Sequence, residues 1–331
     1  MSSQEHKTLR IAIPSIPLQV QMSSSNSPTT PRSVISFFLA EMRYRRPSYP
    51  SRTALEQDLH AYISAWQLDP QHLDPRRTAA MITPSVAMGD MSYHGHDYST
   101  KFLISLFTFF MIYIDDLSGR NPAPFAVFQQ YYATSRAQLD PVLDHFASCL
   151  RAMWAFYDTF TANAIVSSAL EFVNGCYLES LTVDMKVNPN AERYPYFLRS
   201  KTGVAQAYAM MIFPLSARLS LLEYIQAAPS ISFWIDITND ILSFHKEELA
   251  QEVGNYVHLR AAVERKAPAQ IHRDLVQEAL KASANIESTL SGNALNAWLT
   301  FKTGYITFHV TQDRYKLGDM SLGVVHPTTR S

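Results

Sequence analysis

Apolar residues recur along most of the chain at intervals of three and four positions, the spacing of one face of an α-helix. No stretch combines strict alternation of apolar and polar residues with flanking turn residues, the pattern typical of a half-buried strand. The helices that this periodicity predicts cover residues 34–44, 53–65, 75–88, 98–114, 124–134, 139–160, 162–183, 194–224, 229–249, 255–264, 268–290 and 293–316. Since neither a repeat nor a linker divides them, we predict a single all-α domain over residues 34–331.

The first 33 residues differ from the rest in composition. They are rich in Ser, Thr and Pro, and such a segment buries too little apolar surface to offset the entropy of ordering. We therefore expect a largely disordered tail over residues 1–33. Its short apolar patch is interrupted by Pro14 and Pro17 and does not resemble a secretory signal.

The longest apolar run, Phe102–Ile114, ends at Asp115 and Asp116. A membrane-spanning helix needs about 20 apolar residues, which is more than this run offers. The run therefore predicts a buried helix, and we expect a cytoplasmic protein without a membrane span.

Composition narrows the class further. Hydrophobic residues make up 47% and aromatic residues 12% of the 331 positions, while 17% are charged and the formal net charge is -1. This balance argues against binding nucleic acid or an anionic membrane through a basic face. The chain has only 10 glycines, the residue that P-loops and dinucleotide-binding turns require. Its two cysteines, Cys149 and Cys176, exclude a disulfide scaffold and are expected in the core.

Two adjacent carboxylates, Asp115 and Asp116, stand at the end of the helix predicted over 98–114. Their mutual repulsion and the helix dipole disfavour both charges there unless cations or water compensate. The pair therefore indicates either a metal site or a solvated Asp-rich turn, and at this point both interpretations stay open.

A second polar group interrupts the apolar helix predicted over 229–249. Asn239, Ser243 and Glu247 follow one another at intervals of four, so they form one continuous stripe on that helix. An amide oxygen, a hydroxyl and a carboxylate make an all-oxygen ligand set, which suits Mg²⁺ better than zinc. Lys246 lies beside the stripe, where it could reach a phosphate. A partly exposed polar face is the alternative interpretation.

These residues fit four motifs of one family, in the family's order. Asn239–Glu247 fits the metal motif Asn-Asp-x-x-Ser-x-x-x-Glu, with Lys246 as the basic residue that often precedes its Glu. The other three matches are Asp115-Asp116 as the start of an Asp-rich motif, Arg199–Gly203 as a sensor–linker–effector element, and Arg314-Tyr315 as a late Arg-Tyr pair. On these residues the chain resembles the class I terpene synthases, and specifically the trichodiene synthase family of fungal sesquiterpene cyclases. Gly119 departs from the pattern, because the fifth position of the Asp-rich motif ideally carries a third Asp.

The resemblance implies an α-helical barrel around a central apolar cavity, with three Mg²⁺ ions at its mouth and farnesyl diphosphate as substrate. The metal ligands that it implies are Asp115 on one side and Asn239, Ser243 and Glu247 on the other. The diphosphate-binding residues that it implies are Arg199, Lys246, Arg314 and Tyr315.

Two further roles also come from the resemblance alone. Asp116 would pair with a basic residue, Arg314, as the mouth closes and excludes water. A helix break at Gly203 would turn a carbonyl group toward the substrate cation. Gly203 as an ordinary small packing residue remains the alternative.

Helical spacing places further residues on the faces that carry the metal motifs. The candidates for the cavity wall are Phe107, Thr108, Met111, Ile112, Ile235 and Phe308, with Trp298 as a further one. Each of them also suits an ordinary helical core. We assign no metal role to His245 or His309, and the sequence does not fix which way His309 faces.

The leading hypothesis is a sesquiterpene cyclase that ionises farnesyl diphosphate. A related transferase that elongates prenyl chains is an alternative, although such enzymes usually carry two Asp-rich motifs. Geranyl or geranylgeranyl diphosphate as substrate and a non-catalytic carrier of apolar ligands are further alternatives. Since relatives are often homodimers, the oligomeric state stays open.

Overall fold

The computed structural model describes residues 30–49, 53–320 and 322, so nearly all of the tail predicted over 1–33 lies outside the described residues. Over the described ranges the chain is helical without a strand, and the predicted all-α fold class is confirmed. The helices are α1 (Pro31–Glu41), α2 (Thr53–Ser64), α3 (Pro75–Ala87), α4 (Tyr98–Ser118), α5 (Ala123–Ala133), α6 (Pro141–Ala152), α7 (Thr159–Thr182), α8 (Tyr194–Thr202), α9 (Ala205–Met210), α10 (Ala228–Ala250), α11 (Tyr256–Glu264), α12 (Pro268–Thr289) and α13 (Gly292–Thr311).

Side-chain caps fix where several helices begin. Thr30 accepts a hydrogen bond of 3.2 Å from a backbone N–H in the first turn of α1, so this helix starts just inside the segment assigned to the tail. Asp97 caps α4 in the same way at 2.9 Å, and Asp158 caps α7 at 3.0 Å. Because each oxygen satisfies an N–H that has no partner within the helix, the caps favour these start points.

Helix α10 lies at the centre of the packing and contacts α9, α12 and α13. Its middle is apolar, and the buried ring of Trp234 meets that of Trp298 on α13 edge to face at 5.0 Å. Helix α4 packs against α3 and α7. Together these elements leave an open cavity of about 700 Å³.

The apolar helix α4 belongs to the core. The rings of Phe107, Phe109 and Phe110 are fully buried on it. In the part of the chain that the structure describes, we find no helix with the length and apolarity that crossing a bilayer requires. Cys149 and Cys176 are also buried, and both are free thiols.

A π-helical turn, Met88–Ser92, follows α3, and the periodicity of the sequence did not predict it. Gly304 of α13 packs against this turn so closely that a Cβ atom there would lie 2.0 Å from the carbonyl oxygen of Met91. A Cβ atom on Gly89 would lie 2.2 Å from Oγ of Ser105 on α4. The two glycines therefore allow α13 and α4 to approach the turn.

The single helix predicted over 194–224 is wrong. Helix α8 ends at Thr202, because Val204 adopts a left-handed backbone conformation with φ of 48°. The short helix α9 follows, and Pro214 stands beyond its end, where a missing N–H disfavours continuation. The rest of that range holds two short 3₁₀ turns, Leu215–Ala217 and Leu221–Glu223.

Three further helices end at residues that differ by four or more from the predicted ends. Helix α4 continues to Ser118, so the two adjacent aspartates lie in its last turn rather than after it. The helix predicted over 139–160 ends at Ala152, and a 3₁₀ turn follows. The helix predicted over 293–316 ends at Thr311, and Arg314 and Tyr315 lie on a separate 3₁₀ turn.

Candidate active site

The cavity brings most of the predicted site residues together. Helices α4, α7, α8, α10 and the 3₁₀ turn after α13 contribute to its lining. The predicted catalytic, metal-binding and diphosphate-binding residues that line it are Asp115, Arg199, Gly203, Asn239, Lys246, Glu247, Arg314 and Tyr315. Burial raises the pKa of Asp115, and the positive charges of Arg314 and Lys246 oppose that shift. Carboxylates and cations are therefore close enough in this cavity to interact electrostatically.

Two cations lie near the ring of Tyr315. The Lys246 Nζ atom is 5.9 Å and the Arg314 Cζ atom 5.8 Å from the centre of the Tyr315 ring, which are cation–π distances. Among the ion pairs of the described residues, none involves either of these cations. Both charges are therefore available to an anion that enters the cavity.

The stripe on α10 has the spacing that the sequence predicted. Ser243 does not line the cavity but is buried beneath it, and its Oγ atom has no well-aligned hydrogen-bond partner among the described residues. Burial raises the pKa of Glu247 to about 7, and the nearby Ser243 hydroxyl lowers it in part. The C-terminal part of the stripe thus holds a hydroxyl without a well-aligned hydrogen-bond partner and a carboxylate with a raised pKa.

Asn239 interacts with Arg199, His309 and Tyr315, and its hydrogen bond with Tyr315 opposes the rise in the pKa of that phenol. The Oδ1 atom of Asn239 lies 3.4 Å from Nη2 of Arg199, and its Nδ2 atom lies 3.1 Å from Nε2 of His309. His309 is fully buried, and burial lowers its pKa to about 3, so its ring is neutral at neutral pH. The sequence placed no role on His309, because nothing in helical spacing reveals which residue of α10 it faces.

Asp116 lies apart from this group. Its side chain is 41% exposed, it does not line the cavity, and its Oδ2 atom is 3.5 Å from Nη2 of Arg77. The expected pairing with Arg314 is therefore absent in this structure, and Arg77 takes its place. One helical step of about 100° separates Asp116 from Asp115 and turns it toward α3.

Arg199 is bound by α10 rather than free in the cavity. Its Nε atom donates to the Asp240 carboxylate at 2.8 Å, and its Nη1 atom is 3.1 Å from Oδ1 of Asp236. Burial raises the pKa of Asp236 to about 7, and the charge of Arg199 opposes this shift. Asp236 was missed, because it precedes the metal motif and looked like a lone polar residue in a core helix.

Gly203 gives this ion pair its space. A Cβ atom at position 203 would lie 2.0 Å from Oδ1 of Asp236 and 2.3 Å from Nη1 of Arg199. Helix α8 ends here, and Val204 turns the chain with its left-handed backbone. A helix break therefore exists at this point, while the role of a carbonyl toward a cation stays a prediction.

Four of the six proposed wall residues line the cavity, namely Thr108, Met111, Ile112 and Phe308. Phe107 packs in the core against the ring of Tyr208, since it lies about 80° around α4 from Asp115. Ile235 is also buried outside the wall, and so is Trp298. The hydroxyl of Tyr305 donates to the Ile235 carbonyl at 3.3 Å and covers that stretch of α10.

Other wall residues were missed by the sequence analysis. Tyr208 of α9 lines the cavity and donates a hydrogen bond of 3.1 Å to Oγ1 of Thr108. Tyr305 of α13 and Phe172 of α7 add two further rings. Glu179 of α7 also lines the cavity, and burial raises its pKa to about 7. Helix α7 carries no motif, and the helices predicted to hold Tyr208 and Tyr305 are interrupted between these residues and their motifs, so spacing from a motif residue could not reveal them.

Residues 33–322 match the sequence model of the trichodiene synthase (TRI5) family. The chain belongs to this family. The α-cuprenene synthase COP6 of Coprinopsis cinerea is 32% identical over 229 residues, which cover 69% of this chain and 70% of that protein. Monoterpene synthase 25 of Postia placenta is 31% identical over 291 residues, covering 87% and 86% of the two chains.

A solved structure shares the fold. The linalool/nerolidol synthase from Streptomyces clavuligerus, in complex with 2-fluorogeranyl diphosphate, superposes with a TM-score of 0.61 and covers 80% of this chain and 100% of its own. Its sequence is 16% identical, so the likeness concerns the class I terpene synthase fold. The predicted family and enzyme class are confirmed: this member of the trichodiene synthase family is a terpene cyclase, a lyase that acts on a prenyl diphosphate.

Class I terpene synthases generally use divalent metal ions, and the residues of this family member fit such an ion. Ser243 offers a buried oxygen without a well-aligned partner, and Glu247 is a half-buried carboxylate whose raised pKa the charge of Lys246 offsets only in part. The donors are oxygens throughout, as hard divalent cations prefer. The described residues contain no group of three or more His, Cys, Asp and Glu side chains placed to hold a metal, so this set depends on the amide and the hydroxyl as well.

Proposed function

We propose that this terpene synthase ionises farnesyl diphosphate in a Mg²⁺-dependent reaction, cyclises the resulting carbocation to a sesquiterpene and releases diphosphate. The observation that supports this is a single cavity with two kinds of lining. Polar residues of both metal motifs line part of it, and apolar and aromatic side chains of α4, α7, α9 and α13 line the rest. A substrate with an anionic head and a hydrocarbon tail matches both.

The proposed metal ligands come from two helices. Asp115 of α4 would bind from one side, and Asn239, Ser243 and Glu247 of α10 from the other. Three bound Mg²⁺ ions would neutralise the negative charge that develops on the departing diphosphate. Desolvation raises the pKa of both carboxylates, Asp115 and Glu247, so bound cations would also relieve the cost of keeping them ionised.

The chain's own cations would hold the diphosphate. Lys246 and Arg314 can donate charge-assisted hydrogen bonds to its oxygens, and the hydroxyl of Tyr315, whose ring both cations approach, can donate another. Arg199 donates three of its five N–H groups to acceptors on α10, and its Nη1 atom lies 3.1 Å from Oδ1 of Asp236, so most of the guanidinium is already engaged. We therefore assign the larger share of diphosphate binding to Lys246 and Arg314.

The wall would protect the carbocation. Tyr208, Tyr305 and Phe308 present aromatic rings to the cavity, and an aromatic face stabilises a desolvated cation by about 2 kcal/mol. The hydroxyls of both tyrosines already donate to protein acceptors, at 3.1 and 3.3 Å. The protein therefore fixes the orientation of both hydroxyls, and exclusion of water by the bound chain would prevent early quenching.

Substrate length is the part of the proposal that most needs a direct test. The cavity volume of about 700 Å³ lies within the range of roughly 300–1,000 Å³ that small-molecule sites span. Relatives include both an α-cuprenene synthase and a monoterpene synthase, so geranyl diphosphate is a specific competitor.

The decisive experiment supplies the purified protein with geranyl, farnesyl and geranylgeranyl diphosphate in turn, each with Mg²⁺ and with EDTA. We expect a cyclic C15 hydrocarbon from farnesyl diphosphate, detected by gas chromatography with mass spectrometry, and none in EDTA. A product from geranyl or geranylgeranyl diphosphate, with none from farnesyl diphosphate, would show that the substrate is not farnesyl diphosphate. Longer diphosphates after addition of isopentenyl diphosphate would indicate chain elongation, and binding without any product would indicate a carrier.

A matched pair of variants tests the metal motif. Glu247→Gln removes a proposed ligand, and we expect turnover to fall at least about 100-fold. Glu248→Gln changes the next residue, whose exposed carboxylate pairs with His258 at 3.2 Å, and turnover should stay within about twofold. Equal turnover in both variants would contradict the assignment of Glu247.

A further inference from the structure

His309 links the backbone of α13 to the first residue of the α10 metal motif. Its Nδ1 atom lies 2.8 Å from the carbonyl oxygen of Tyr305, and its Nε2 atom lies 3.1 Å from Nδ2 of Asn239. The imidazole is fully buried, and the rings of Tyr305 and Tyr315 pack against it at 4.5 and 4.4 Å. The imidazole therefore has little freedom to rotate.

The donor and acceptor roles in this chain of contacts follow from its two ends. The Tyr305 carbonyl only accepts, so Nδ1 of His309 carries the hydrogen and donates it. At the other end Nη2 of Arg199 only donates, and it lies 3.4 Å from the Asn239 amide, which must present its oxygen there. The amide NH₂ group then points at Nε2 of His309, which accepts.

This arrangement fixes which way the amide faces. Reversal of the Asn239 amide would set its NH₂ group against the guanidinium of Arg199, donor to donor. It would also set the amide oxygen against the accepting Nε2 atom of His309. The oxygen has two acceptor sites, so one remains for a cation beside the bond from Arg199.

We propose that His309 is a positioning residue, which accepts a hydrogen bond from Asn239 and thereby holds the amide oxygen of Asn239 toward the metal position. This inference rests on the proposed function, since it assigns a purpose to an orientation that matters when a divalent cation binds. An amide nitrogen cannot ligate Mg²⁺, so a side chain that is free to reverse spends part of its time in a form that does not bind. Partners that orient a ligand in this way typically contribute 10- to 100-fold to metal affinity.

The first test replaces His309 with Phe in the full-length protein. Phe keeps a planar ring between Tyr305 and Tyr315 but removes the acceptor. Binding of Mn²⁺ in the presence of inorganic diphosphate, followed by electron paramagnetic resonance, should weaken 10- to 100-fold. His309→Gln offers a side-chain carbonyl as acceptor and should restore affinity to within about threefold of the native protein.

A matched control is His272→Phe. His272 is likewise buried, and its Nε2 atom bonds the backbone carbonyl of Ile241 on α10 at 2.9 Å, without contact to a motif side chain. We expect its loss to leave Mn²⁺ affinity within about twofold of native. An equal loss in both Phe variants would show a general effect of removing a buried histidine and would overturn the proposal.

A second test needs no Phe variant. Asn239→Asp places a carboxylate oxygen against the accepting Nε2 atom of His309, so Mn²⁺ binding should weaken. In the His309→Gln background the Gln amide can rotate and donate to that carboxylate, so the same substitution should cost at least fivefold less. Additive effects of the two substitutions would overturn the proposal.

The outcomes separate this inference from the proposed function. Terpene production by the native protein, together with unchanged metal affinity in His309→Phe, would overturn only the positioning role. Absence of any terpene, together with the predicted loss of affinity, would overturn only the reaction. A native protein that binds no Mn²⁺ with diphosphate would overturn both.

Discussion

At the scale of single residues, Gly203 is the position where the structure changes the picture most. The sequence suggested a helix break or a small packing residue at this position. Neither description includes the ion pair between Arg199 and Asp236 that lies against this glycine. Arg199 and Asp236 occupy the space where a side chain at 203 would begin. The absence of a side chain is therefore a requirement of electrostatics as well as of backbone geometry.

This requirement predicts the outcome of Gly203→Ala. The added methyl would meet Oδ1 of Asp236 at 2.0 Å and Nη1 of Arg199 at 2.3 Å, so the ion pair must separate. We expect turnover to fall at least about tenfold and the melting temperature to fall by several degrees. Gly254→Ala is the control: Gly254 also lines the cavity, but a Cβ atom there meets nothing within 4 Å, so neither measurement should change.

Asp236→Asn tests the same pair through charge. The variant keeps the shape of the side chain, yet Arg199 loses one of two buried anionic partners. Because Asp240 still bonds the guanidinium at 2.8 Å, we expect a loss of about 1–3 kcal/mol in the free energy of unfolding, measured with urea. Glu171→Gln breaks a more exposed pair with Lys201 and should cost less than about 1 kcal/mol. A smaller loss in Asp236→Asn than in Glu171→Gln would contradict the role of Asp236.

At the scale of elements, the sequence predicted best what depends on one helix alone. The spacing of Asn239, Ser243 and Glu247 is a property of α10 by itself, and the helix was expected over 229–249 and found at Ala228–Ala250. Contacts between helices could not be derived in this way. The pairs Arg199–Asp236, Asn239–His309 and Arg77–Asp116 depend on where two helices cross, which periodicity does not encode.

Packing between elements also explains the elements that were missed. The run between 194 and 224 keeps helical periodicity, yet its backbone reverses hand at Val204, where it packs between α7 and α10. The π-helical turn Met88–Ser92 exists where α13 and α4 come close through Gly304 and Gly89. In both places tertiary contacts, rather than local preference, decide the conformation.

Gly304→Ala tests the contact of α13 with this turn. Its Cβ atom would lie 2.0 Å from the Met91 carbonyl, which is backbone and cannot swing aside. We expect a loss of about 2–3 kcal/mol in the free energy of unfolding. Gly95→Ala is the control. Gly95 lies near the same turn, and a Cβ atom there would meet only a methyl of Thr300 at 3.9 Å, so the unfolding curve of this variant should match that of the native protein.

At the scale of the whole molecule, buried histidines should make stability fall in mild acid. His272 is buried between α12 and α10, and burial lowers its pKa from 6.5 to about 4. Between these two values the unfolded chain binds a proton at this site that the folded chain does not, so the contribution of His272 to the free energy of unfolding decreases as pH falls from 6.5 to 4. The decrease from this residue is at most about 3 kcal/mol.

His272→Gln isolates that contribution, because Gln can still donate to the Ile241 carbonyl but does not titrate. Urea unfolding at several pH values should show that the difference in the free energy of unfolding, variant minus native, becomes more positive as pH falls from 6.5 to 4. His60→Gln, at an exposed position on α2, should leave the native slope unchanged. Parallel slopes in all three proteins would refute the link between His272 and acid stability.

Ligand binding should also be visible in the stability of the whole fold. Mg²⁺ and inorganic diphosphate together bind only the folded state in the proposed function, so they should raise the melting temperature, and EDTA should reverse the rise. Either component alone should have a smaller effect, because each neutralises the other's charge. A homodimer and a cytoplasmic location remain predictions from the sequence, which size-exclusion chromatography and microscopy would test.

The lining of the cavity is divided unevenly among the helices. The residues that α10 contributes to it within the described chain are Asn239, Asp240, Lys246 and Glu247, all polar, whereas rings and aliphatic groups come from other helices. On α10 the part that would start the reaction therefore stands alone, whereas α4 carries Asp115 together with residues that would shape the hydrocarbon. Substitutions in the second set can give rise to new products while the first stays intact, so this architecture is suited to evolutionary diversification by a few changes at a time.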